Sequence, residues 1–389
     1  MGGASIVGWA HLAFGKLAAP DVETLIDEVA GAAIADAGVD PAEVDGVFVG
    51  NFNNGFSRQD FPSSLAMQGV PELRFKPAMR CENACASGSA AVYAARDFIA
   101  AGRGRVALVV GVEKMTGVAS AAVGDILLGA SYRREEGETP GGFAGVFGRI
   151  AETYFQRFGD QSDALAAIAA KNHRNGVDNP YAQMRRDFGV EFCRNVSEKN
   201  PYVAGPLKRT DCSLVSDGAA ALVLADEEVA AGLARAVRFR AAQHVNDFLP
   251  MSRRDVTRFE GGAVAWGRAL EQAGLTIGDL SFVETHDCFT IAELIEYEAM
   301  GLAPHGQGAR VVLDGVVSAE GRLPVNRSGG LKAKGHPVGA TGVSMHVMAA
   351  MQLTGEAGGM QLPRAEIGGV FNMGGAAVAN YVSILERSR

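Results

Sequence analysis

Apolar positions along the chain change period in a repeating order. Residues 22–37 carry them at helical spacing, Ala37-Gly38 breaks the pattern, Asp40-Pro41 marks a turn, and Gly46-Val47-Phe48-Val49 is apolar throughout. This predicts an amphipathic helix followed by a strand buried on both faces. The same grammar returns at residues 263–284: a helix ends in Ala273-Gly274, Leu275-Thr276-Ile277 and Leu280 follow, and Phe282-Val283 is the strand. Ala273 stands 236 residues after Ala37, and Leu280 stands the same distance after Val44.

A second echo has an offset of 254 residues. It joins Ala84-Cys85-Ala86-Ser87-Gly88-Ser89 to Val338-Gly339-Ala340-Thr341-Gly342-Val343, each a small-residue helix start followed by an apolar helix and a β-rich run. Those runs, Val106-Ala107-Leu108-Val109-Val110-Gly111 and Ile367-Gly368-Gly369-Val370-Phe371, read as central strands. Two echoes in the same order predict an α/β chain of two similar halves. Between them, residues 117–209 shift toward Arg, Glu, Gly, Asn and Tyr, with Arg133-Arg134-Glu135-Glu136 and Gly141-Gly142 marking irregular structure. The strand Ala220-Ala221-Leu222-Val223-Leu224 then returns the chain to the first half. The expected division is 1–116 with 210–249 as the first half, 117–209 as an inserted domain, and 250–389 as the second half.

Composition narrows the function classes. At 389 residues, 48% hydrophobic and 21% charged, with 50 glycines, the chain has the profile of a folded α/β enzyme rich in tight turns. A net charge of −8 with scattered acidic residues speaks against a nucleic-acid surface. Five cysteines, odd in number and without a CxxC pair, do not form a disulfide framework and fit a reducing compartment. Residues 1–16 lack a basic region ahead of their short apolar stretch, so no signal peptide is expected. Residues 335–355 carry no Asp, Glu, Lys or Arg, but His336, Pro337, Thr341, Ser344, His346 and Gln352 interrupt them, and no membrane span is expected. The terminal Glu386-Arg387-Ser388-Arg389 is not a receptor-read address, which leaves the cytoplasm as the expected location.

Several residues could carry chemistry. Cys85 falls where the polar turn Cys81-Glu82-Asn83-Ala84 gives way to an Ala-rich helix. Free N–H groups and the helix dipole there favour a thiolate, and Ala86, Ser87 and Gly88 leave room for a bulky thioester. His336 precedes Pro337 at the mirrored helix start, where it could activate a thiol. His286-Asp287-Cys288-Phe289 follows the strand Phe282-Val283, a strand-to-helix turn of the kind that binds ligands in open α/β folds. Gly374-Gly375, after a central strand, could aim backbone N–H groups at an oxyanion. His11, His173, His244, His305 and His346 read as surface or satisfied core residues. A zinc site of Cys81, Cys85, His286 and Cys288 is a competing chemistry, although these residues lack the close spacing of structural zinc ligands.

Taken together, the segments resemble thiolases across essentially the whole chain, and the sterol-carrier-protein-type branch in particular. The resemblance rests on residues 83–90, Val110-Gly111-Val112-Glu113-Lys114-Met115, Ser216-Asp217-Gly218-Ala219-Ala220-Ala221, His286-Asp287-Cys288-Phe289, and residues 335–342. It implies a layered α-β-α-β-α core of two duplicated halves with an inserted loop domain over coenzyme A. Other thiolases carry a second catalytic cysteine in a CxG segment; the aligned stretch here reads Asn372-Met373-Gly374, and the resemblance hands that role to Cys288.

The implied activity is CoA-dependent cleavage of a 3-ketoacyl-CoA, or Claisen condensation of acyl-CoAs, through an acyl-enzyme on Cys85. His336 would activate Cys85, Cys288 would act as acid or base at the α-carbon, and His336 and His286 would hold the enolate oxygen. The N–H groups of Cys85 and Gly374 would form a second oxyanion site. Arg133, Arg134, Arg185, Arg186, Lys208 and Arg209 are candidate phosphate partners, and Ser213 falls near a position that touches the pantetheine arm. Coenzyme A is expected as substrate, with no permanently bound cofactor and no metal. A homodimer is expected, and a small partner subunit is a further expectation. The competing readings are a ketoacyl synthase, against which Cys288 counts, a retro-aldolase working with a partner protein, and a non-catalytic acyl-CoA binder.

Overall fold

The computed structural model describes residues 3–388. The first half runs β1 (Ala4–His11), α1 (Val22–Ala37), β2 (Gly46–Gly50), α2 (Pro62–Gly69), β3 (Ala78–Cys81), α3 (Ser87–Ala100) and β4 (Val106–Glu113). The intervening segment holds α4 (Ser120–Leu127), α5 (Arg133–Glu136), α6 (Gly142–Phe158), α7 (Ser162–Gly176), α8 (Gly189–Arg194) and the hairpin β5 (Tyr202–Ala204) with β6 (Leu207–Lys208). There follow β7 (Gly218–Asp226), α9 (Glu227–Ala231), β8 (Val237–Asn246), α10 (Glu260–Ala273), β9 (Phe282–Thr285) and α11 (Thr290–Ala299). The chain closes with α12 (Gly308–Leu313), α13 (Gly330–Lys334), α14 (Thr341–Thr354), β10 (Ile367–Gly374) and β11 (Ala379–Arg387).

Both sequence echoes are structural. Helix α1 starts where the Asp21 side chain accepts the N–H of Thr24 at 3.0 Å and stops at Gly38, whose φ of +70° suits glycine. Helix α10 stops the same way at Gly274, with φ of +65°. Strands β2 and β9, which follow these helices, are buried at every position.

The sheet joins nine strands in the order β3-β2-β4-β7-β1-β8-β11-β10-β9. Each half is mixed: β2 runs parallel to β3 and β4, β10 runs parallel to β9, and the remaining pairs are antiparallel. The halves meet at β1 and β8, where Ser5 faces Arg238 and Ile6 faces Val237. The layered core expected from the sequence is therefore continuous at this seam. Strand β8 lies inside the 210–249 stretch that the sequence grouped with the first half, yet it pairs along its length with β11 of the second.

Helices α3 and α14 pack on each other and lie between the two half-sheets, α14 touching β4, β7 and β1 on one side and β8 to β11 on the other. Their contact depends on missing side chains. A Cβ on Gly88 would sit 2.8 Å from the Val343 nitrogen, and one on Gly342 would sit 2.2 Å from the Ser89 nitrogen. The charge-free stretch 335–355 is this central helix and its approach, buried through Leu353. Among the described residues, no helix is long and apolar enough to cross a membrane.

The segment between the halves is more helical than its polar composition predicts. Phe143, Val146, Phe147, Ile150 and Tyr154 form a buried stripe on α6, and Leu165, Ile168 and Ala169 form one on α7. Phe147 stacks on Phe289, with ring centroids 4.4 Å apart, which seats α6 over the turn that carries His286 and Cys288.

Candidate active site

Four loops converge beneath this helical cover. Cys85 sits just before α3, after Ala84, whose φ of +51° turns the chain sharply, and its side chain is buried at 3% exposure. His286 and Cys288 lie on the β9–α11 turn, at 0% and 2% exposure, and His336 lies between α13 and α14 at 6%. Cys85, Cys288, His336 and Ser213 line one cavity of about 740 Å³, walled by Met115, Leu127, Phe143 and Phe289. The imidazoles of His286 and His336 stand 5.0 Å apart at 82°.

Buried hydrogen bonds set the protons on the two rings. Thr341 Oγ1 gives its one proton to the Pro337 carbonyl at 3.0 Å, so at 2.7 Å it accepts from His336 Nδ1. His336 Nε2 then carries a lone pair, and among the described residues it has no partner. Asn372 Nδ2 lies 2.9 Å from His286 Nδ1 and donates to it, leaving the His286 proton on Nε2, also without a partner. One imidazole thus offers an acceptor and the other a donor.

Electrostatics keep the site neutral at rest. Burial pushes the Cys85 thiol up to about 12, against the opposing N–H of Gly375 and with a further upward push from the Glu113 carboxylate. Burial, then the Lys334 ammonium, draws His336 down to about 3. His286 lies well below its usual value through burial and then His336. Cys288 lies well above its own through burial and then Cys85. The N–H groups and dipole at the start of α3, expected to favour a Cys85 thiolate, are outweighed by desolvation. The two shifts run in directions that favour a thiol beside a neutral imidazole.

The N–H groups of Gly375, at φ +63°, and of Cys85 itself both act to lower the Cys85 thiol against its burial. Gly374 serves the approach of β10 to the Cys85 turn, since a Cβ there would lie 2.2 Å from the Asn83 carbonyl oxygen. Ser213 borders the cavity and donates its N–H to the Cys288 carbonyl at 2.9 Å.

The remaining motifs brace these loops. Lys114 Nζ pairs with buried Asp217 at 2.6 Å, and Asp217 also accepts from Thr116 and the Leu17 N–H. Ser216 Oγ accepts the His336 N–H at 3.0 Å. Glu113, raised to about 7 chiefly by burial, accepts the N–H groups of Phe52, Asn53 and Gly339 and so ties the halves together. Asp287 accepts from Leu331 N, Lys332 N and Asn172 Nδ2, fixing the 286–288 turn against the segment that leads to His336.

Other candidates fall elsewhere. Lys208 is buried against Asp211 at 3.1 Å, Arg133 pairs with Asp125, and Arg186 lies over Phe188. Neither these nor Arg134, Arg185 and Arg209 line the cavity; Lys16, which drew no attention in the sequence, does. The zinc set of Cys81, Cys85, His286 and Cys288 is not what the fold assembles. Among the described residues, a group close enough to share a metal is Cys85, His286 and His336, with ligand atoms within 4.8 Å of one another. All five cysteines are free thiols.

Comparison with known proteins decides the family. Residues 4–192 match the thiolase N-terminal domain model, and residues 242–387 match the thiolase C-terminal domain-like model. The chain belongs to the thiolase family. It is 35% identical to an acetyl-CoA acetyltransferase of Methanothermobacter thermautotrophicus, over 98% of this chain and 99% of that protein. It is 32% identical to sterol carrier protein 2 of Homo sapiens, over 92% of this chain and 67% of that one. The solved structure "Ltp2-ChsH2(DUF35) aldolase" superposes with a TM-score of 0.85 at 23% identity, covering 100% of this chain and 98% of that one, a likeness of fold.

Proposed function

We propose that this thiolase-family acyltransferase cleaves a 3-ketoacyl-CoA with free CoA, or runs the reverse Claisen condensation, through an acyl-enzyme on Cys85. The carrying observation is one cavity, open to solvent at one side, whose lining brings together two buried thiols and the lone pair of His336 Nε2. In cleavage, His336 Nε2 takes the Cys85 proton as sulfur attacks the C3 carbonyl. The C2–C3 bond breaks, and the electron pair passes to the acetyl-CoA enolate. His286 Nε2–H and the now protonated His336 both face that enolate oxygen, and Cys288 gives its proton to the α-carbon. CoA then attacks the acyl-enzyme, its thiol proton returns to Cys288, and Cys85 leaves with the proton held on His336. The N–H groups of Gly375 and Cys85, which both favour negative charge at the Cys85 sulfur, support an oxyanion role in the acyl-transfer step.

Thiolysis of acetoacetyl-CoA by wild type, Cys85→Ala and Cys288→Ala tests this. Turnover lost in both variants, with acyl-enzyme still formed by Cys288→Ala, is the expected result. Equal turnover by Cys85→Ala and wild type would sink the proposal.

For assembly, we propose a homodimer with its seam at β3. That strand is paired on one side only, by β2, and Met79 and nearby Phe75 are exposed at 50% and 86%. Light scattering at micromolar concentration should give twice the chain mass. A small partner subunit is supported by the paired name of the aldolase structure that shares this fold. The free thiols support a reducing, cytoplasmic setting.

A further inference from the structure

Asn372 is absent from the mechanism above, yet its side chain bonds both the Cys85 segment and His286. It lies in β10, is fully buried, and touches three active-site segments. Its Oδ1 accepts from Ser89 Oγ at 2.7 Å on α3; its Nδ2 lies 3.2 Å from the Cys85 carbonyl and 2.9 Å from His286 Nδ1.

These contacts fix which way the amide points. Rotated by half a turn, Oδ1 would face the Cys85 carbonyl oxygen, two acceptors with no proton between them. In the observed orientation each amide hydrogen has a acceptor, one on the carbonyl and one on the ring nitrogen. His286 Nδ1 must then present a lone pair, and a neutral imidazole with an unprotonated Nδ1 carries its proton on Nε2. Thr341 imposes the opposite tautomer on His336.

We propose that Asn372 is a positioning residue that holds His286 in its Nε2–H tautomer, so that His286 donates to the substrate oxygen while His336 Nε2 stays free to accept the Cys85 proton. The inference rests on the thiolase reading for its consequence, but not for the tautomer. Were both rings to present lone pairs, the developing enolate oxygen would meet one repulsive acceptor. Were both to present N–H groups, Cys85 would lack a base. A thiol at position 372 has a single hydrogen and could not donate to carbonyl and ring at once.

The test is nitrogen-15 NMR of histidine-labelled wild type and N372D, with His286→Gln to assign the signal, alongside thiolysis kinetics. Wild type should show His286 protonated at Nε2 and His336 at Nδ1. In N372D the carboxylate accepts where the amide donated. The His286 proton should move to Nδ1 and kcat should fall on the order of 10²-fold, the loss expected for one oxyanion donor, with KM changed by less than about twofold. In a His286→Gln background, where no tautomer exists, N372D should cost only what its lost bond to the Cys85 carbonyl costs, clearly less than in the enzyme that keeps His286. A wild-type His286 protonated at Nδ1 overturns the proposal, and so does N372D turning over at the wild-type rate. If N372D does not fold, the wild-type spectrum decides. Wild type without thiolysis activity would sink the thiolase reading and leave the tautomer result standing.

Discussion

Replacing Thr341 by valine should slow acylation of Cys85 while leaving the fold intact. The hydroxyl makes two hydrogen bonds: it accepts from His336 Nδ1 at 2.7 Å and donates to the Pro337 carbonyl at 3.0 Å. The carbonyl keeps partners without it, because the N–H groups of Ala340 and Thr341 both reach it at 3.0 Å. The imidazole does not. A buried donor stripped of its acceptor costs about 1–3 kcal/mol. The bond also strengthens as His336 takes the thiol proton, since charge-assisted hydrogen bonds are roughly twice as strong as neutral ones. The stripped neutral donor burdens the resting site as well, so only the strengthening falls on the acylation barrier; we assign it about 1–2 kcal/mol, a loss of roughly 5- to 30-fold at 1.36 kcal/mol per tenfold. The assay is rapid-quench mass spectrometry of the acetyl adduct on Cys85 after mixing with acetyl-CoA, with thermal melting as the control for folding. An acylation rate within about threefold of wild type, in a variant that melts normally, would refute the claim that Thr341 sets the His336 base.

Three other outcomes are expected. Buried His173, drawn down to about 3 first by burial and then by Lys332, binds a proton in the unfolded chain below pH 6.5 but not in the folded one until about 3. Its stabilising contribution is thus full above pH 6.5 and lost as pH falls, so wild type should lose up to about 1.4 kcal/mol per pH unit relative to His173→Gln in that window; parallel urea-midpoint curves for the two would contradict this. Gly342→Ala should lower stability by about 1–3 kcal/mol or misplace α14, because its Cβ would stand 2.2 Å from the Ser89 nitrogen; an unchanged melting temperature would show that the helices part easily. Lys114→Met strands the fully buried Asp217 carboxylate and should cost about 3–5 kcal/mol in chemical denaturation; a cost below about 1 kcal/mol would mean that the Thr116 and Leu17 donors satisfy that charge alone.

Much of the architecture was legible along the chain because its signals are local. The helix stop at Gly38, the apolar runs of β2, β4 and β10, and the matched helix starts at Ser87 and Thr341 each declare themselves within a few residues. Cys85, His286, Cys288 and His336 were legible for the same reason, since each stands at a strand-to-helix or helix-start turn where the local pattern changes. The helices α6 and α7 were hidden by the polar residues on their outer faces, although their buried stripes were present in the sequence.

What the sequence could not decide are quantities that depend on residues far apart in the chain. Cys85 rests as a thiol because burial at 3% exposure outweighs the helix start, and burial is a property of the packed whole. Strand β10 comes against the Cys85 turn at the Asn83 carbonyl, an approach across 291 residues that exists only in the folded chain. The two imidazoles differ only in where one proton sits. Thr341, five residues from His336, and Asn372, 86 residues from His286, place those protons through hydrogen bonds that exist once the halves have closed on each other.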